Sequence, residues 1–102
     1  MSASSVKRIA LIGGAGFIGH HLALKLQERG HDVHIIDGMS INNILYFSST
    51  VDHIPNRELY MKMINERLDM LSKAEVPLHV EDARDYFRLS LALDKIEPQV
   101  IV

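Results

Sequence analysis

The sequence predicts an α/β fold built on a parallel, doubly wound sheet, and three observations point there. Apolar runs of strand length alternate with segments of helical period in the order β, α, β, α, β, α, β, the pattern left by strands joined through helical crossovers. The first run, Ile9-Ala10-Leu11-Ile12, leads directly into Gly13-Gly14-Ala15-Gly16-Phe17-Ile18-Gly19, a glycine turn that opens a helix. The second run ends on an acid, Asp37, 18 residues after Gly19.

Residues 6–12 form the first strand, a continuous apolar run suited to a central position with helices on both sheet faces. Residues 17–29 read as a helix, with Ile18, Leu22 and Leu26 recurring every four residues and Gly30 placed as its stop. Residues 33–36 make the second strand. Residues 38–55 lack a clear period and carry Asn42, Asn43, Ser48, Ser49 and Thr50, which predicts a long loop with a turn of helix at 44–47.

A second helix over 56–72 places Tyr60, Ile64, Leu68 and Leu71 on one stripe, with Arg57, Lys62, Glu66, Arg67 and Asp69 elsewhere on the wheel. Met61, Met63 and Met70 read as packing residues of that helix. Residues 76–80 are the third strand, with Pro77 near its start, where a missing N–H is tolerated. The third helix starts near Asp85, carries Tyr86, Leu89, Leu93 and Ile96 on a stripe, and must end before Pro98. Residues 99–102 begin a fourth strand. The expected strand order is 3-2-1-4, the first half of a Rossmann-type sheet truncated at its fourth strand.

Composition narrows the function classes. With 102 residues, 47% of them hydrophobic and 24% charged, the chain can bury one core and no more. Eleven Lys and Arg against thirteen Asp and Glu, with no basic block, argue against a nucleic-acid or anionic-membrane partner. No apolar run approaches the roughly 20 residues that span a bilayer, and the small polar start is unlike a signal peptide, so the chain reads as cytoplasmic. The lack of cysteine removes thiolate metal sites and cysteine nucleophiles.

The chemistry concentrates at the glycine turn. A helix N-terminus leaves its first N–H groups without intrahelical partners and carries the positive end of the helix dipole, which makes it an anion site. Gly13 lets the chain turn off the strand, Gly16 lets backbone approach a pyrophosphate, and Gly19 lets the helix lie close. The spacing fits both Gly13/Gly16/Gly19 and Gly14/Gly16/Gly19, and a turn serving only strand-to-helix geometry is the alternative. Asp37 stands where a carboxylate can accept both adenosine ribose hydroxyls and repel a 2′-phosphate; Gly38-Met39-Ser40 offers no arginine, so NAD is favoured over NADP. The alternative is a solvated strand-end charge. Ser40 and Asn42 can reach ribose or phosphate from the loop, or serve only as turn formers.

Asp82 and Ala83, after the third strand, can flank an adenine, or Asp82 can cap the following helix. Six histidines show no i, i+4 pair on a helix, which predicts no metal site. Tyr60 and Tyr86 fall on apolar stripes, where core packing is expected, and neither has lysine four residues on.

From residue 6 to 102 the chain resembles the N-terminal cofactor-binding part of an extended short-chain dehydrogenase/reductase, of the NAD-dependent nucleotide-sugar epimerase/dehydratase group. The resemblance rests on Gly-Gly-Ala-Gly-Phe-Ile-Gly at 13–19, Asp37, and Glu81-Asp82-Ala83-Arg84-Asp85. It implies that Phe17 and Ile18 give N–H groups to the pyrophosphate, that Asp37 holds the ribose, and that Asp82 and Ala83 flank the adenine.

The resemblance also implies a nucleotide-sugar substrate and a homodimer for the complete protein. The family's Tyr-x-x-x-Lys pair is not found in these residues. The expectation is therefore an incomplete NAD-binding domain over 1–102, with catalytic and substrate regions elsewhere and no turnover of its own. The alternatives are a non-catalytic dinucleotide sensor on the same fold and a domain that has lost cofactor binding.

Overall fold

The computed structural model describes residues 6–39 and 56–102. Ser40, Asn42 and the expected helical turn at 44–47 lie outside the described residues. The elements follow the predicted order: β1 Arg8–Ile12, α1 Phe17–Glu28, β2 Asp32–Ile36, α2 Arg57–Lys73, β3 Leu78–His79, α3 Tyr86–Ile96 and β4 Val100–Ile101.

All strand pairs are parallel and the sheet order is β3-β2-β1-β4. This is the first half of a doubly wound, Rossmann-type sheet, with β1 central as its apolar run requires. β1 and β2 pair along their full length, from Arg8 opposite Asp32 to Ile12 opposite Ile36. That register brings both strands out at the same carboxyl edge.

Strand side chains alternate between the two faces. Ile9, Leu11, Val33 and Ile35 pack with Ala23 of α1 and Leu71 of α2 on one face. Ala10 and Ile36 meet Ala92 and Ile96 of α3 on the other. A helix on each face explains why the central strands are apolar throughout.

β3 and β4 are shorter than their apolar runs. At β3, Pro77 has no N–H, though its carbonyl accepts the Ile35 N–H at 2.9 Å. Beyond β4 the pairing continues through hydrogen bonds, with the Val102 N–H donating to Ala10 O at 2.9 Å and Ile12 N–H donating to Val102 O at 2.8 Å.

The helix faces correct five expectations. In α1, Ile18 is 80% exposed and Leu22 also faces outward, while His20 and Ala23 are buried. A four-residue repeat drifts around a helix by about 40° per step, so of the expected stripe only Leu26 packs on the core, beside Leu24, and the buried positions are His20 and Ala23. In α3, Tyr86 is 83% exposed, because it sits at the first position and Ala92 and Ile96 carry the packing. Tyr60 is exposed in the first turn of α2, and Met63 and Met70 flank its buried side rather than filling it. That side is Ile64, Arg67 and Leu71, so Arg67, expected on the polar face, is inside.

Candidate dinucleotide-binding site

The site is built where β1 and β2 end. Gly13 leaves β1 with φ +78°, a backbone region costly for side chains with a Cβ, and its N–H donates to Ile36 O at 2.8 Å. The Gly16 N–H then donates to Gly13 O at 3.1 Å and closes the turn. Gly19 lies against this turn so closely that a Cβ would fall 2.6 Å from both Gly13 O and Gly14 Cα. Helix and turn can meet only without a side chain there.

Gly16 differs from Gly19. A Cβ on Gly16 would meet a single atom within 4 Å, Gly13 O at 3.3 Å, so the space above it is open. α1 begins immediately after. Its first bond runs from the His20 N–H to Gly16 O at 3.0 Å, which puts the N–H groups of Phe17 and Ile18 ahead of the helical ladder. The first turn carries no acidic residue to compete with an incoming anion.

Asp37 follows β2 and is held through its backbone, where its N–H donates to His79 O at 3.0 Å. Its carboxylate reaches back to the turn. Oδ2 accepts the Ala15 N–H at 3.1 Å, and Oδ1 accepts the Met39 N–H at 2.7 Å. A carboxylate offers about four lone-pair positions, so two acceptor sites are left for hydroxyl donors.

A cleft of about 310 Å³ opens between these strand ends; Gly13, Gly16, Asp37, Asp82 and Ala83 all line it, together with Arg84. Five residues chosen from the sequence are thus brought to one cleft. Phe17, Ile18 and Gly19 stand at the adjoining helix start.

Asp82 is not the cap of α3. Asp85 is, accepting the Arg88 N–H at 3.1 Å, because the helix begins at Tyr86 and the residue before it is the one in capping position. Asp82 instead forms a turn with Arg84, taking its backbone N–H at 2.9 Å and its guanidinium at 2.7–3.1 Å. Those side-chain hydrogen bonds hold its carboxyl at about 2, well below the ordinary carboxylate value. Asp82 therefore presents a permanent anion whose charge Arg84 offsets.

Two residues that support the turn were not singled out from the sequence. His20 is buried with Nδ1 2.9 Å from Gly16 O; a carbonyl only accepts, so Nδ1 carries the proton. Burial first, and then the nearby His21 and Arg67, pull its pKa below 6.5 against the pull of the Gly16 bond. Arg67 donates from NH1 to Ala15 O at 3.0 Å. Its position three residues after Ile64 and four before Leu71 was the available signal.

Among the described residues no group of three metal-ligating side chains comes together. His34 and His79 stack on the α3 face with Nδ1 and Nε2 3.2 Å apart, away from the glycine turn. Among the described residues no helix is long and apolar enough to cross a membrane.

Residues 9–76 match the model of the NAD dependent epimerase/dehydratase family. The chain belongs to that family. A UDP-N-acetyl-alpha-D-glucosaminuronate decarboxylase of Bacillus cytotoxicus is 34% identical over 74 residues, which cover 72% of this chain and 23% of the relative. A UDP-glucose 4-epimerase of Neisseria meningitidis serogroup B is 30% identical over 80 residues, 78% of this chain and 18% of the relative. A UDP-glucuronic acid decarboxylase 1 of Danio rerio is 49% identical over 37 residues, 36% of this chain and 9% of the relative.

The chain thus spans about a quarter or less of the length of these epimerase/dehydratase relatives. No solved structure matches it. NAD is the expected cofactor of this epimerase/dehydratase family member. The residues present fit that group: open space above Gly16, free helix N–H groups and an anchored acid at the edge of one cleft.

Proposed function

We propose that residues 1–102 are the N-terminal NAD-binding portion of a nucleotide-sugar epimerase, dehydratase or decarboxylase. The observation that carries this reading is the hydrogen bond from the Ala15 N–H to Asp37 Oδ2. It sets the acid and the glycine turn at fixed separation around one cleft, which is the arrangement an ADP moiety needs.

The N–H groups of Phe17 and Ile18 would take the pyrophosphate at the start of α1, with Gly13 and Gly16 leaving room for it. Asp37 would accept the ribose hydroxyls and disfavour a 2′-phosphate. Asp82 and Ala83 would flank the adenine. Ser40 and Asn42 are assigned the ribose and phosphate side from sequence alone.

Bound NAD supplies a nicotinamide that takes a hydride from the sugar and returns it. This chain's residues bind and orient that cofactor. No Tyr-x-x-x-Lys pair occurs among the 102 residues, so the domain binds without turning over substrate. Titration with NAD tests the reading, and assays with nucleotide sugars test the second part. Saturable NAD binding without turnover supports it; failure to bind NAD, or turnover by the purified domain, contradicts it.

A further inference from the structure

Arg67 is 7% exposed on a helix stripe otherwise made of Ile64 and Leu71, where an apolar side chain would fill the same space. Burying a guanidinium is costly unless it makes good hydrogen bonds. One such bond goes from NH1 to Ala15 O at 3.0 Å, across 52 residues of sequence. Ala15 is itself fully buried.

The peptide on the other side of Ala15 is held too, since the Ala15 N–H donates to Asp37 Oδ2. Peptide groups are planar, so a carbonyl and the following N–H turn together. Fixing Ala15 O therefore also fixes the Gly16 N–H, whose partner is Gly13 O at 3.1 Å. The two peptides that flank Ala15 are thus each held, one by Asp37 and one by Arg67. His20, bonded to Gly16 O, lies close enough to feel the Arg67 charge.

Resting on the dinucleotide reading, we propose that Arg67 is a positioning residue for the phosphate turn. It holds the Ala15 carbonyl back toward α2, so that the first N–H groups of α1 face a diphosphate. Its effect is specific to ligands carrying a diphosphate and small for the nucleoside alone.

The test compares ADP, NAD and adenosine binding to the 102-residue chain, by calorimetry for the first two and NMR titration for adenosine. Arg67→Met should weaken ADP and NAD by about tenfold or more, as expected for loss of a charge-assisted hydrogen bond, with adenosine nearly unchanged. Arg67→Lys, which keeps one donor and the charge, should fall between wild type and Arg67→Met. Leu71→Ala, one turn further along the same buried stripe, should lower Tm without changing the ratio of ADP to adenosine affinity.

An unchanged ratio in Arg67→Met, or an equal change in Leu71→Ala, overturns the positioning role. If Arg67→Met does not fold, Arg67→Lys decides: a selective loss for ADP supports the role, and an unchanged ratio overturns it. Wild-type protein that binds neither ADP nor NAD overturns the dinucleotide reading and this role with it; wild-type binding with an unaltered Arg67→Met overturns the role alone.

Discussion

The Ala15 N–H donates to Asp37 Oδ2 at 3.1 Å, joining the turn that leaves β1 to the acid that ends β2. The two residues stand 22 apart in sequence. Their bond makes the strand-end acid and the glycine turn one structural unit, so a change at either should be felt at the other.

Asp37→Ala removes the acceptor for both the Ala15 and Met39 N–H groups. Each is a hydrogen bond to a charged group, and together they should cost about 2 kcal/mol in this partly buried setting. NAD affinity should fall and the preference for NAD over NADP should shrink, because the charge that repels a 2′-phosphate is gone. Paired NAD and NADP titrations with a denaturation curve check this; an unaltered ratio would reduce Asp37 to a strand-end charge.

Two glycines three residues apart should fail in different ways. A Cβ at position 16 meets only Gly13 O, at 3.3 Å, so Gly16→Val should fold with a modest Tm change yet lose NAD. Gly19→Ala puts a methyl 2.6 Å from turn backbone, where neither atom can rotate away, and should cost about 2 kcal/mol or more. Thermal melts beside calorimetry separate the two. If Gly16→Val binds normally, the turn is not the anion site.

Stability should fall on the acid side of neutrality. The pKa of His79 is pulled below 6.5 first by burial, then by His34 and Lys95, against the opposing pull of Glu81. His20 is lowered as well. Well above 6.5 these rings are neutral whether the chain is folded or not. As pH falls below it the unfolded chain takes up protons first, and stability drops until the folded values are passed. His79→Gln should flatten part of that slope in denaturation curves between neutral and mildly acidic pH; an unchanged slope would contradict the assignment.

Arg84→Ala should raise the Asp82 pKa. Its carboxyl stands at about 2 first because the Arg84 guanidinium donates to both oxygens, and without that side chain it should move part of the way back toward 3.8, the backbone N–H of residue 84 still donating to Oδ1. Carboxyl ¹³C titration by NMR reads this directly. A value that stays near 2 in Arg84→Ala would mean that another donor holds Asp82.

Much of this was legible in the sequence because the signals are local. The strand, glycine turn and helix start are contiguous at 8–19, and Asp37 is fixed by the end of an apolar run, so periodicity and turn chemistry sufficed. A helical wheel places Arg67 on the polar face because it scores a guanidinium as solvated. What buries it is the Ala15 carbonyl, 52 residues away and invisible to any local pattern. The α1 stripe failed for a related reason. Ile18 and Leu22 are apolar but the sheet selects the small Ala23, and only tertiary approach decides which side of a helix with apolar residues on several sides turns inward. Residue types alone leave Asp82 open between adenine contact and helix cap; the cap is Asp85, and the pairing of Asp82 with Arg84 depends on a turn geometry that residue types do not specify.

If this chain holds the ADP portion of NAD between the glycine turn and Asp37, calorimetric titration of the 102-residue protein with NAD and, separately, NADP should show it. Saturable binding of one NAD per chain is expected, with NADP clearly weaker. No heat of binding for either nucleotide, or equal affinity for both, would contradict it.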